Sequence, residues 1–198
     1  MRVWRLWLLA ALLAVVGCQP EKSGETAFRG TDISHEKFGG LLELTDHNGV
    51  KRSLKDFRGK WVLLFFGYTH CPDVCPTTLS DTAEALRLMT QEQAEQVQVI
   101  WVSVDPERDI PSMLRDYVTY FHPDFLSMTG TEAEISKAAS DFRIVYRRHV
   151  TSGVGGYLMD HTAGSYVIDP NGKLRLFLPF AIPAQDMAHD LRLLMQKR

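Results

Sequence analysis

The segment from Lys60 to Leu79 reads KWVLLFFGYTHCPDVCPTTL. Trp61 to Phe66 is apolar at every position. Continuous rather than alternating apolar character predicts a strand covered on both faces. Beyond it the spacing becomes helical. Pro76 suits a first helical position. Leu79, Ala83, Leu86 and Met89 then recur on one face, with Asp81, Glu84 and Arg87 facing away. At the junction lie Cys71 and Cys75, four apart and each followed by proline. The only other cysteine is Cys18. A thiol pair at a strand-to-helix junction is a place for metal or redox chemistry.

Upstream, Leu41–Thr45 and Val50–Leu54 flank the turn residues Asp46-His47-Asn48-Gly49 and predict a hairpin. Downstream, Gln96–Val104 predicts a second buried strand, and Asp105–Asp109 a loop. Pro111 opens a helix through Phe121. Phe125–Met128 predicts a short strand, Thr131–Asp141 a helix with an acidic first turn, and Phe142–Arg147 another short strand. Thr151–Gly156 is glycine-rich loop. Ser165–Asp169 and Lys173–Leu178 flank the turn Pro170-Asn171-Gly172. An amphipathic helix carrying Met187, Leu191, Leu194 and Met195 closes the chain. This order resembles an α/β thioredoxin-like fold with an N-terminal hairpin and an inserted helix and strand segment. The resemblance implies that the loop Tyr157–Ala163, ahead of the third core strand, packs against the dithiol.

The chain has 198 residues, 45% of them hydrophobic and 23% charged, with a net charge of −2. Those values describe one soluble domain large enough to bury a core without disulfide staples. They show no basic face for nucleic acid. Residues 1–18 differ from the rest. Arg2 and Arg5 precede an apolar run from Leu6 to Val16, too short for a stable membrane span and typical of an export signal. The run ends in Val15-Val16-Gly17-Cys18, which resembles a bacterial lipobox and implies an acylated Cys18. An uncleaved anchor helix is the alternative. Residues 19–36 are polar and lack periodicity, as expected of a tether, leaving 37–198 as the folded domain on the extracytoplasmic, periplasmic side of a membrane. Cys71 and Cys75 are then the only thiols of the domain. In an oxidising compartment they must be bridged, metal-bound or held reduced by a partner.

Three residues separate these cysteines, one more than in a thioredoxin-type redox motif. Thiols four apart in a helical or turn conformation project to one side. That geometry suits a disulfide, or two bonds to one metal. A following helix N-terminus favours thiolate. Two thiolates select Cu(I), with zinc as a competitor. A third donor from His161 would admit Cu(II), and a closed structural zinc site wants four ligands.

Three stretches carry a further resemblance: GYTHCPDVCPTTL (67–79), SVDPERD (103–109) and YLMDHTAGSYVIDPNGKL (157–174). Together they resemble the Sco/SenC family of copper chaperones over about residues 36–197. The resemblance implies one copper ion, Cu(I) or Cu(II), held by Cys71, Cys75 and His161. It also implies assembly of the dinuclear copper centre of cytochrome c oxidase subunit II, or of a similar copper protein. Another copper chaperone or a thiol reductant would be a further partner, and the membrane would be contacted through the lipid anchor. The family's common transmembrane anchor is replaced here by the predicted lipid.

Other residues have competing readings. Asp73 is a candidate for tuning the thiols or contacting a partner, or a turn former. Asp160 is a candidate orienting acceptor for His161, or a solvated loop residue. His70 flanks Cys71 but should point away from it. Met159 reads as packing and His122 as structural. Asp105, Glu107, Arg108 and Asp109 read equally as a docking loop and as a salt-bridged turn. The alternative function is a thiol–disulfide oxidoreductase with Cys71 as the attacking thiolate and no need of His161. A peroxiredoxin-like peroxidase is a weaker third.

Overall fold

A computed structural model describes residues 27–150 and 156–196. Its strands are β1 (Thr31–Asp32), β2 (Leu44–Asp46), β3 (Lys51–Arg52), β4 (Trp61–Gly67), β5 (Val97–Ser103), β6 (Leu126–Thr129), β7 (Tyr146–Val150), β8 (Tyr157–His161), β9 (Gly164–Ile168) and β10 (Leu174–Pro179). Its helices are α1 (Val74–Arg87), α2 (Gln91–Glu95), α3 (Pro111–Phe121), α4 (Glu132–Asp141) and α5 (Ala184–Gln196).

Eight strands form one sheet in the order β1-β10-β9-β4-β5-β6-β2-β3. β4 lies at its centre, parallel to β5 and antiparallel to β9. All seven residues of β4 are buried, which is the burial that its unbroken apolar run requires. The set β10-β9-β4-β5, with α1 and α5 packed together, has the strand order of a thioredoxin-like core. The hairpin β2–β3 extends the sheet at the far edge. Gly49, with φ of 80°, supplies the left-handed residue of its Asn-Gly turn.

Several boundaries differ from the sequence expectation. Helix α1 begins at Val74, not Pro76, with Asp73 as N-cap. Pro76 is tolerated there because the first turn's N–H groups have no intrahelical acceptor to lose. Phe142, expected in a strand, is the buried C-cap of α4. The strand that follows begins only at Tyr146. The stretch Tyr157–His161, expected as loop, is strand β8, paired with β7 in a separate two-stranded ribbon. Both ribbon strands carry charged residues that mask any alternation. The short helix α2 was not anticipated, although Thr90 and Gln93 form a capping box at its start.

The leader, Cys18 and most of the expected tether lie outside the described residues, as does most of the glycine-rich loop. From residue 27 onward the chain already touches the domain. Thr31 and Asp32 pair with β10. The backbone N–H groups of Arg29 and Gly30 donate to the buried Asp190 carboxylate at 2.9 and 2.7 Å. No helix among the described residues is long and apolar enough to cross a membrane.

Candidate metal centre

The site lies at the carboxyl end of β4, where the chain leaves the buried centre of the sheet. Gly67 is the last residue of the strand, and nothing larger fits there. A Cβ there would stand 2.6 Å from Cys75 Sγ and 2.7 Å from Trp101 Nε1. Cys71 then sits in the turn and Cys75 in the first turn of α1. Cys75 is fully buried, and Cys71 is 9% exposed. Both are free thiols, not a disulfide.

The start of α1 aims donors at Cys71. The Cys75 N–H, orphaned at the helix N-terminus, donates to Cys71 Sγ at 3.4 Å. The two sulfurs share a hydrogen bond. That bond, aided by the Asp73 and Cys75 amides, holds the Cys71 thiol well below the ordinary range. Burial, followed by the neighbouring Cys71 sulfur, pushes the Cys75 thiol up. The pair therefore shares one proton, with the negative charge on the more accessible sulfur.

His161 arrives at the end of β8. Its Nε2 stands 3.6 Å from Cys75 Sγ. Its Nδ1 lies 3.1 Å from the Thr162 carbonyl oxygen. A carbonyl only accepts, so Nδ1 carries the hydrogen and the Nε2 lone pair faces the thiols. The ring packs edge-on against Phe65 and Tyr68, with centroids 6.0 and 5.9 Å away. Donor atoms of Cys71, Cys75 and His161 all lie within 4.8 Å of one another. An ion bonded to sulfur and imidazole at about 2.0–2.3 Å holds its donors within roughly 4.6 Å of each other, so the observed cluster is close to a binding arrangement. Two sulfurs and one imidazole form a soft set with a side left open.

The neighbouring candidates sort differently. The acceptor that orients His161 is the Thr162 carbonyl, and Asp160 is exposed opposite Arg147 in the ribbon. Asp73 acts on Cys71 through its amide, while its carboxylate accepts from Thr77 Oγ1 at 3.3 Å. His70 is exposed and bonded to Thr69 Oγ1. Met159 is buried as packing, and His122 stacks on Phe125.

Of the two readings of the SVDPERD stretch, the salt-bridged turn is the one observed, with Arg108 paired to Asp105. Asp105 and Asp109 are each 1% exposed. The Asp109 carboxylate accepts from Thr69 N at 3.1 Å, Thr69 Oγ1 at 2.5 Å and Ser103 Oγ at 2.6 Å. It thus anchors the start of the dithiol loop from beneath. Burial raises its pKa. Sequence reasoning misses Gly67 and Thr69 as site residues, and it places Asp109 in a docking loop or salt-bridged turn rather than beneath the dithiol. The available signal was that Asp109 follows a buried strand closely enough to turn back under it.

A model of the SCO1/SenC family matches residues 30–196. The chain belongs to the SCO1/SenC family. Over 134 residues it is 38% identical to the mitochondrial SCO2 homologue of Danio rerio, covering 67% of this chain and 48% of that protein. The chain thus spans about half that relative's length. Among solved structures it resembles Bradyrhizobium japonicum ScoI with copper bound, at 40% identity and TM-score 0.72, covering 79% of this chain and 98% of that one. It also resembles a SCO1/SenC family lipoprotein of Bacillus anthracis, at 26% identity and TM-score 0.68, covering 85% and 99%. These likenesses agree with the thioredoxin-like topology of the sheet, and they set the cysteine–histidine cluster within a family fold.

Proposed function

We propose that this SCO1/SenC protein is a copper chaperone whose cargo is held by Cys71, Cys75 and His161. The observation that carries the reading is the convergence of two thiols and one imidazole lone pair within 4.8 Å. The copper-bound ScoI relative supports the choice of ion. Cu(I) binds the two sulfurs, and the imidazole adds the donor that Cu(II) needs. The open side of a three-donor site admits an incoming partner thiolate, so the ion leaves by ligand exchange. The acceptor we infer is the dinuclear copper centre of cytochrome c oxidase subunit II or a similar copper protein. The domain is held at the extracytoplasmic face of a bacterial membrane by lipid on Cys18, with the segment before residue 27 as the link. The lipoprotein relative in Bacillus anthracis supports that anchor. Copper titration of the reduced domain tests the site, with one ion per domain expected and none retained by Cys71→Ala or Cys75→Ala.

A second reading is favoured by the unequal thiols. A depressed, slightly exposed Cys71 and a fully buried, protonated Cys75 are an attacking and a resolving thiol. Cys71 thiolate would attack a partner disulfide, releasing one partner thiolate. Cys75 would then give its proton to solvent and displace the second. The products are a Cys71–Cys75 disulfide and a reduced partner, with two electrons transferred. Turnover that survives His161→Ala, measured against a copper-site disulfide, would support this role. The two roles are compatible, because copper binding needs the reduced dithiol.

A further inference from the structure

His161 stands on a ribbon that makes no strand pairing with the main sheet. A two-stranded ribbon is marginally stable by itself, so side chains must fix its place. Tyr157, at the other end of β8, is gripped by the loop between β5 and α3. Its hydroxyl donates to Asp105 Oδ1 at 2.8 Å, and its carbonyl accepts from Arg108 Nη1 at 3.0 Å. The Arg108 guanidinium lies 3.6 Å from the Tyr157 ring centroid and 5.7 Å from that of Tyr68. Its Nε donates to Asp105 Oδ2 at 2.5 Å. Asp105 is buried, so this pair resists solvent screening. On the ribbon's other strand Arg148 lies 4.1 Å from the Tyr157 ring and pairs with Glu107. Tyr157 and His161 are four residues apart on one strand and share a face. What holds the first sets the second.

We propose that Asp105, Arg108 and Tyr157 form a latch that positions His161 and so decides whether the dithiol holds an ion alone or together with the imidazole. The proposal rests on the copper reading for its consequence, but not for its geometry. The same 103–109 loop grips the dithiol side through Asp109 and Thr69, so one loop registers the two halves of the site. Cu(II), which needs the imidazole, depends on the latch. Cu(I), held by the sulfurs, does not.

Arg108→Ala is the direct test, and Tyr157→Phe, which removes one hydroxyl and keeps the ring, serves if the former fails to fold. Hydrogen exchange of the metal-free protein should show the β8 amides losing protection about tenfold while β4 and β5 keep theirs. Cu(II) affinity should fall about tenfold, the usual cost of releasing a ligand's support, with Cu(I) affinity unchanged. Arg108→Lys should restore part of the loss. In a His161→Ala background the latch substitutions should change nothing further. Unchanged β8 exchange, an equal loss of Cu(I) and Cu(II), or a loss that persists without His161 overturns the latch. A wild-type protein that fails to bind Cu(II), or a His161→Ala variant that binds it as tightly, overturns the copper assignment instead, and the latch is then decided by β8 exchange alone.

Discussion

His161 Nε2 lies 3.6 Å from Cys75 Sγ across 86 residues of sequence, and its other ring nitrogen is committed to the Thr162 carbonyl. The imidazole therefore reaches the thiols with its lone pair already aimed. His161→Ala should lower Cu(II) affinity by at least about 100-fold, more than the loss of an outer support costs, and leave Cu(I) affinity close to wild type. Competition titrations with chelators of each oxidation state separate the two. Equal Cu(II) affinity in the variant would remove His161 from the site.

The unequal thiols make a chemical prediction for the metal-free, reduced protein. The Cys71 pKa is lowered in the folded state, first through its bond with Cys75. Its thiolate therefore persists as pH falls and is lost only on approach to that lowered value. Alkylation of Cys71 by iodoacetamide should stay nearly constant between about pH 8 and pH 6, where an ordinary thiol with pKa near 8.5 slows almost tenfold per unit. Cys75, buried and pushed up, should remain unmodified until the protein unfolds. Peptide mapping of the alkylated protein assigns the rates. A Cys71 rate that tracks an ordinary thiol would exclude the shared-proton arrangement.

The central strand, the dithiol, the helices α3 and α4 and both Asn-Gly hairpins were legible because each depends on local pattern: an unbroken apolar run, a proline or acidic start, a turn residue. Features without such a pattern were not. In β8 Tyr157, Met159 and His161 turn inward and Leu158 and Asp160 outward, but the apolar run Tyr-Leu-Met hides that alternation, so Tyr157–His161 read as loop. The start of α1 was placed two residues late because Pro76 resembles a first helical residue, although any of the first few positions tolerates it. The 103–109 loop reads equally as docking surface and as salt-bridged turn, since nothing local says that Asp109 turns inward to meet Thr69. The meeting of His161 with the cysteines came from fold resemblance, because spacing alone says nothing across 86 residues.

Gly67 is where strand geometry and site geometry collide. An added methyl would meet Cys75 Sγ at 2.6 Å and Trp101 Nε1 at 2.7 Å, both held by rigid elements. Gly67→Ala should destabilise the domain by about 1–3 kcal/mol, as overpacking does. It should also weaken Cu(I) binding, because Cys75 must move to make room. Urea unfolding and Cu(I) competition measure the two effects. A variant of wild-type stability that binds Cu(I) normally would mean that Cys75 shifts freely.

Asp109 carries the last prediction, since three donors converge on its buried carboxylate and two of them belong to Thr69, two residues before Cys71. Asp109→Ala strands those donors and should cost about 2–4 kcal/mol. Asp109→Asn keeps one accepting oxygen and should cost less. The pH dependence distinguishes charge from shape. Burial raises the folded pKa of Asp109 above the ordinary carboxyl value, so the folded state favours the protonated form. That contribution is full below the ordinary value and is lost as pH rises through the raised one. The Asn variant has no such proton to lose. Its stability deficit relative to wild type should therefore shrink as pH rises above the ordinary carboxyl value in urea titrations. A deficit that stays constant over that range would show that Asp109 holds Thr69 by shape alone.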